Sequence, residues 1–386
     1  MKQLYLDNAA TSWPKPAAVL AAMRRYFFRC GGNPGRSGHA KAIEAGRTVL
    51  ATRERLAELF GVQDPSRIVF TKNATEALNL VFHGLLRPGD RVVTSSMEHN
   101  SVLRPLNALE RQGVQLAIVQ ATGDGCIDPE VFCRSVDRNT SLAVVTQVCN
   151  VTGVITDLDP IVAHCRRMGV PLLVDAAQSA GCLPIDVEAL HVDFLAFSGH
   201  KGLLGPQGTG GLYIRSERGL EPLLRGGTGS LSDREEQPDF LPDRYESGTL
   251  NVVGLAGLGA AVESLMKREV EKVRDHERRL LEIFLENVGK LAGVKVQGPR
   301  DPLRQTGVIS LTFDEWSPSE AGQMLEDRFG ILSRIGLHCA PRAHRTLGTF
   351  PEGTVRLSWG IFTRTRDIVH AVKAVKALAS ERRGSG

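Results

Sequence analysis

Several things are missing from this sequence, and each absence removes a class of function. No apolar run approaches the roughly 18 to 20 residues that a membrane helix needs. The opening MKQLYLDNAATSWPKP meets acidic and polar residues too early for a secretory signal. Cysteine is sparse and unpaired: the seven residues Cys30, Cys126, Cys133, Cys149, Cys165, Cys182 and Cys339 form no CxxC pair. An odd count at such spacing excludes a disulfide framework and a zinc knuckle, and points to a reducing, cytoplasmic setting. His164 and Cys165 lie together with no second ligand pair, so no metal is expected. The formal net charge is only +4, and Lys and Arg are scattered among Asp and Glu. Without a basic run or aromatic-basic interleaving, the chain has no electrostatic footprint for nucleic acid. No GxxxxGK(S/T) is present, no GxGxxG opens a helix after the first strand, and GxSxG is absent.

What remains is a chain of 386 residues, 42% hydrophobic and 23% charged, long enough for about two domains. Between residues 62 and 215, short apolar runs alternate with amphipathic stretches. Strands are expected at Ile68–Phe70, Arg91–Ser95, Gln115–Val119, Leu142–Val148, Pro171–Asp175, Asp193–Phe197 and Gly210–Ile214. Helices are expected at Thr75–Leu86, Ser101–Gln112, Pro129–Ser135 and Leu158–Met168. Such alternation describes an α/β domain with a largely parallel sheet. The connection Ser198–Thr209 is rich in Gly and lacks helical periodicity, so the last strand should return antiparallel, giving a mixed seven-stranded sheet. A polar loop follows at Gly226–Thr249. One long helix is then expected, because Val262, Leu265, Met266, Val273, Leu280, Leu281, Phe284, Leu285 and Val288 share a face at helical spacing. A smaller α/β region closes the chain, with strands at Gly307–Phe313 and Thr354–Ser358, helices at Pro318–Phe329 and Asp367–Leu378, and a fraying tail, ERRGSG.

Open α/β sheets bind ligands beyond the carboxyl ends of their strands. Those ends carry Thr71–Glu76, Met97–Ser101, Cys149–Gly153, Asp175–Ser179 and Ser198–Gly202, so one rim collects carboxylates, lysines, two histidines, amides and several hydroxyls. Lys201 is notable by scarcity: the chain has 11 Lys against 36 Arg, and between Ala42 and Met266 only Lys72 and Lys201 occur. Lysine can form a Schiff base where arginine cannot. Asp175 ends an apolar run, where a carboxylate is costly unless paired, and a pyridinium nitrogen would suit it; a helix N-cap is the alternative use. Thr75 and Ala74 stand at a helix start, which favours a phosphate or is simply a cap. His99 suits either a stack on an aromatic ring or a surface loop.

Taken together, YLDNAAT, NATEALN, MEHNS, NVTG, VDAAQS, SGHKGLLGPQGTG, RYESGTLN, RIGLHCAP and VRLS resemble the cysteine desulfurases and selenocysteine lyases of the class V aminotransferase group, in the family's order and across nearly the whole chain. The resemblance implies a homodimeric PLP-dependent transferase of fold type I. Its large PLP-binding domain would be 15–255, with a small α/β domain from 1–14 and 256–386. It implies pyridoxal 5′-phosphate held covalently by Lys201, with Asp175 at the pyridinium nitrogen, Gln178 at the phenolic oxygen and His99 over the ring. Ala74, Thr75, Ser198 and His200 would hold the phosphate, joined by Thr249 from the dimer partner. Asn150 would lie beside cofactor and substrate, Arg356 would bind the substrate carboxylate, and Cys339 would be the nucleophile.

The implied reaction converts L-cysteine to L-alanine and leaves a persulfide on Cys339, for delivery to a sulfur-acceptor protein. A thiolate there needs cationic or dipolar neighbours, for which His338, Arg342 and His344 are the sequence candidates. Two departures stand out: Leu337 replaces a histidine found in one well-known group, and Trp359–Arg364 replaces a small, aromatic and Asn-containing run. These bear on substrate choice. The alternatives are a selenocysteine lyase, another class V enzyme, or an inactive scaffold for sulfur-transfer partners.

Overall fold

The computed structural model describes residues 3–35, 38–217 and 219–381; residues 382–386 of the expected frayed tail lie outside them. The central sheet has seven strands in the order Ile68–Thr71, Gly210–Ile214, Phe194–Ser198, Leu172–Asp175, Thr140–Thr146, Arg91–Ser95 and Gln115–Val119. All run in one direction except Gly210–Ile214, which is antiparallel to both neighbours. The mixed sheet expected from the Gly-rich connection is therefore present. Its inner strands include TSLAVVT, LLVD and FLAFS, continuous apolar runs suited to a sheet covered on both faces. One apolar cluster fills each face.

Helix Ala74–Leu85 leaves the first of these strands at the rim. Asn73 caps it, its Oδ1 accepting the Glu76 N–H at 3.0 Å, so the helix begins one residue earlier than expected, with Asn73 and not Thr75 as its cap. Gly210 lets the antiparallel strand pass this turn. A Cβ there would lie 2.6 Å from Asn73 Cα and 2.7 Å from the Phe197 carbonyl oxygen, which no side chain tolerates.

The single helix expected through residues 262–288 is two helices, Val252–Met266 and Val270–Val288. Between them Glu269 adopts φ +62°, which ends the ladder. The break was hidden because Met266 and Val273 are seven residues apart, two helical turns, so the apolar phase continues across it. The first helix packs against Ala17–Arg25 and Ala40–Phe60, while the second covers the C-terminal sheet.

That second sheet is antiparallel, ordered Arg334–Gly336, Thr354–Ser358, Val308–Phe313 and Val294–Gln297. The chain's N-terminus belongs with it. Leu4–Tyr5 pairs with Ile331–Leu332, Asp7 bridges to Ser358, and Leu6 is buried in the C-terminal cluster. No helix among the described residues is long and apolar enough to cross a membrane.

Candidate active site

The sheet rim and the C-terminal sheet face each other across a cavity of about 240 Å³. Its wall includes Ala74, Thr75, His99, Asn150, Asp175, Gln178, Ser198, His200, Lys201 and Arg356. Ten of the residues singled out by sequence thus converge. Two do not line it: Thr249 lies in a neighbouring recess with Lys72 and Glu76, and Cys339 stands exposed on a loop of its own.

Lys201 follows the strand Phe194–Ser198 and is half-buried. Loss of hydration pushes its amine down to about 8; Arg356 and Arg334 push the same way, while Asp175 and Cys339 oppose them. About a tenth of it is therefore a neutral nucleophile at pH 7, far more than for an ordinary lysine. Asp175 is 4% exposed and does not cap a helix: its Oδ1 accepts only the Ala177 N–H, at 2.9 Å. Burial pushes its carboxyl up from the ordinary value, offset by that N–H and by Lys201. Gln178 donates Nε2–H to the Ala9 carbonyl at 2.9 Å. Burial, Lys201 and Lys15 lower His200 to about 4, so its ring is neutral, and its buried Nδ1 has no partner.

His99 caps helix Asn100–Glu110. Its Nδ1 accepts the Ser101 N–H at 3.0 Å, which places the proton of the neutral ring on Nε2. Burial and the surrounding Lys201, Arg334, Arg356 and Arg104 hold it down at about 3, so it is uncharged. Thr75 Oγ1 and Ser101 Oγ pair at 2.7 Å, and Ser198 Oγ accepts the Ala74 N–H at 3.1 Å. Hydroxyls and the helix start therefore form one polar corner of the cavity.

Behind this corner is a fully buried acid that the motif MEHNS contains but that its residue types did not flag. Glu98 Oε1 accepts the Ser95 hydroxyl at 2.6 Å and the Thr146 N–H at 3.0 Å, while Oε2 has no partner. Burial raises it to about 8, opposed by those two bonds. The folded chain thus keeps a proton that the unfolded chain releases above its ordinary pKa, and stability falls as pH climbs between the two. Glu98→Gln is expected to raise the unfolding midpoint near pH 8 by about 2 °C or more, with the gain vanishing near pH 4. Thermal melts across that range check it; a gain that is the same at both ends would contradict it.

Arg356 is 1% exposed, in strand Thr354–Ser358. One guanidinium nitrogen donates to Asp7 Oδ1 at 2.8 Å and the other to the Asn150 carbonyl at 2.9 Å, leaving Nε buried without a partner. It is not the surface ladder charge that an alternating strand would also permit. Asn150 Nδ2 in turn donates to the His338 carbonyl at 2.7 Å. Cys339 is held next to it: its carbonyl accepts the Asn100 N–H at 2.8 Å, and both His338 (φ +47°) and Cys339 (φ +57°) are left-handed. Strain of this kind gathers where geometry is imposed by the surroundings.

Two of the three cationic neighbours expected for Cys339, the histidines, are not cations. His338 and His344 are buried, with rings 5.4 Å apart, and burial lowers them to about 2 and about 4, so both are neutral. The cation at the thiol is Arg334, whose guanidinium donates to Cys339 Sγ at 3.6 Å. Arg334 sits opposite Arg356 in the antiparallel register and lines the same cavity. It lies within the motif RIGLHCAP, and the signal that could have found it is cross-strand pairing with Arg356, not proximity in sequence. Among the described residues, no group of three or more His, Cys, Asp and Glu is placed to hold a metal ion.

With this geometry in place, comparison with known proteins is informative. The family model for class-V aminotransferases matches residues 4–370. A probable cysteine desulfurase of Methanothermobacter thermautotrophicus is 36% identical over 372 residues, covering 95% of this chain and 92% of the relative. A cysteine desulfurase of Serratia proteamaculans is 33% identical, covering 87% and 84%. Among solved structures, the apo cysteine desulfurase of Thermococcus onnurineus superposes with a TM-score of 0.91 at 33% identity, covering 98% of this chain and 94% of that one. A cysteine desulfurase of Escherichia coli, in an S-sulfonic acid form, gives 0.85 at 30% identity, covering 97% and 94%.

Proposed function

The chain belongs to the class-V aminotransferase family, and from that premise we propose that it is a pyridoxal 5′-phosphate-dependent cysteine desulfurase, converting L-cysteine to L-alanine and moving the sulfur to Cys339. The observation that carries this reading is a desolvated lysine and a buried aspartate in one cavity, beside an exposed cysteine that faces an arginine. The residues fit the cofactor. Asp175 is a buried carboxylate short of partners, and His200 offers an unpartnered buried ring nitrogen beside the Ala74 helix start. Lys201 would anchor it, with Asp175 at the ring nitrogen, Gln178 at the phenolic oxygen, His99 over the ring, and Ala74, Thr75, Ser198 and His200 at the phosphate.

When bound, the cofactor supplies an electron sink for bonds broken at the substrate's α-carbon. Arg356 receives the substrate carboxylate in a planar, charge-assisted grip, with Asn150 beside it. The neutral amine of Lys201 takes the α-proton onto Nζ. The Cys339 thiolate, held by Arg334, attacks the substrate sulfur. An S–S bond forms as the Cβ–S bond breaks, the electron pair stays on Cβ, and a proton completes the methyl group of alanine. Sulfur is oxidised as carbon is reduced, so no outside oxidant is needed; a thiol acceptor or a sulfur-acceptor protein then takes the persulfide sulfur.

The same reading includes a homodimer in which Thr249 serves the partner's phosphate site, supported by its exposure outside its own cavity. Mixing Lys201→Ala with Thr249→Ala chains should restore activity, because one of the two sites in each hybrid regains both groups; mixtures no better than the parents would count against it. The division into 15–255 and 1–14 with 256–386 is supported by the separate C-terminal cluster that includes Leu6. Helix Val252–Met266 and the following Val270 and Val273 belong to the large-domain cluster, which supports drawing the seam beyond Val273. Seven free cysteines suit a reducing, cytoplasmic setting. Product analysis tests the whole: alanine and sulfide in equal amounts from L-cysteine under reductant, against L-selenocysteine in parallel. Absence of either product from L-cysteine would overturn the assignment.

A further inference from the structure

The N-terminal segment YLDNAATSWPK contributes to the resemblance, but the reaction as derived gives it no task beyond the Asp7 contact. Its contacts are unusually concentrated. The carbonyl of His200, the peptide group that leads directly into Lys201, receives four donors from this segment. They are the Ser12 N–H at 3.1 Å, Thr11 Oγ1 at 3.2 Å, Ser12 Oγ at 3.2 Å and Lys15 Nζ at 2.7 Å. A carbonyl oxygen has two lone pairs, so this oxygen is saturated and the orientation of its peptide plane is fixed by a segment 185 residues away in sequence. The Lys15 ammonium is sunk into the contact, its second bond going to Ser12 Oγ at 2.7 Å. Burial, with no offsetting anion, pushes it down to about 8. A desolvated ammonium is costly to keep unless its position is used.

The other end of the segment holds the substrate side of the cavity. Asp7 Oδ1 accepts from Arg356 at 2.8 Å, the Ala9 carbonyl accepts from Gln178 at 2.9 Å, and Ala9 and Ala10 form part of the cavity wall. Tyr5 ties the segment to itself, its hydroxyl donating to the Asp7 carbonyl at 3.0 Å and the Thr11 carbonyl at 2.8 Å. Nine residues therefore connect the C-terminal sheet to the loop of Lys201.

We propose that residues 7–15 form a strap that sets Lys201 in register with Arg356, and that Lys15, clamped on the His200 carbonyl, is the positioning residue for Lys201. The inference rests on the pyridoxal-phosphate reading above. The strap fixes the peptide from which the Lys201 side chain rises, and Lys15 also adds positive charge at that peptide and at the His200 ring beside it. Removing this charge should make the nitrogen that joins Lys201 to the cofactor easier to protonate.

The test uses the full chain stripped of cofactor and reloaded with pyridoxal 5′-phosphate alone. Lys15→Met is expected to weaken cofactor binding about tenfold and to shift the pH midpoint of the bound cofactor's absorbance band upward by about half a unit. Lys15→Arg, which keeps the charge and a donor, should restore most of both. A merely structural role would lower the unfolding midpoint of the stripped protein and leave the absorbance midpoint where it was. If Lys15→Met does not fold, Thr11→Val with Ser12→Ala carries the binding test, because it removes two of the four donors and leaves the ammonium. Wild-type affinity and midpoint in a folded Lys15→Met chain, or wild-type affinity in the double variant, would overturn the clamp while leaving the function intact. A wild-type chain that takes up no cofactor would defeat the function reading, and the clamp with it.

Discussion

Cys339→Ala is expected to cut sulfide release from L-cysteine on the order of 10³-fold or more, while the protein keeps its cofactor and its absorbance. The expectation follows from division of labour in the structure. Cys339 lies on the exposed lip of the site, fixed by the Asn100 N–H and facing Arg334, and it is not part of the cavity wall. Taking away its sulfur removes the atom that accepts the transferred group and disturbs nothing that holds the cofactor. The same variant should show no persulfide by mass spectrometry after a single turnover. Arg334→Gln should fall between this variant and wild type, because the thiol remains but its charge-assisted donor is lost. Sulfide release from Cys339→Ala at the wild-type rate would mean that the sulfur leaves by a route that bypasses this residue.

Lys201→Ala carries the other large effect. It deletes both the covalent anchor and the base for the α-proton, and turnover is expected to fall on the order of 10³-fold or more, since positioned general bases alone contribute about 10²- to 10⁴-fold. In the wild-type chain the rate of cofactor uptake should rise with pH and level off above about 8, the value to which burial lowers the Lys201 amine. The sign is fixed by chemistry: only the unprotonated amine attacks an aldehyde, and raising the pH through that value populates it. Stopped-flow uptake measured across this range checks the point, and a rate that falls with pH would contradict it.

Much of this site could be read in the sequence because strand ends in an α/β sheet are marked by short apolar runs giving way to polar residues. Asp175 after LLVD and Lys201 after FLAFS are found that way, and the structure puts both in one cavity wall. What failed depended on burial and on distance along the chain. His338 and His344 look like cations beside Cys339 in a linear reading, but the fold buries both rings and makes them neutral. Arg334 reaches the same sulfur across two left-handed residues, and its partner Arg356 lies on the adjacent strand. Lys15 resembles an ordinary lysine between two prolines until the fold brings it to His200. Helix Ala40–Phe60 is a different case. Its buried residues Ala42, Ala45, Val49, Thr52, Leu56 and Phe60 follow helical spacing between the cap His39 and Gly61, so its pattern was open to a closer reading.

Borohydride reduction of the cofactor-loaded protein, followed by peptide mapping, goes to the heart of the account. The reduced pyridoxyl group should be found on Lys201, in the peptide that follows SGH, and on no other lysine. Attachment at Lys72, Lys15 or any other amine, or a protein that carries no label after loading, would contradict it.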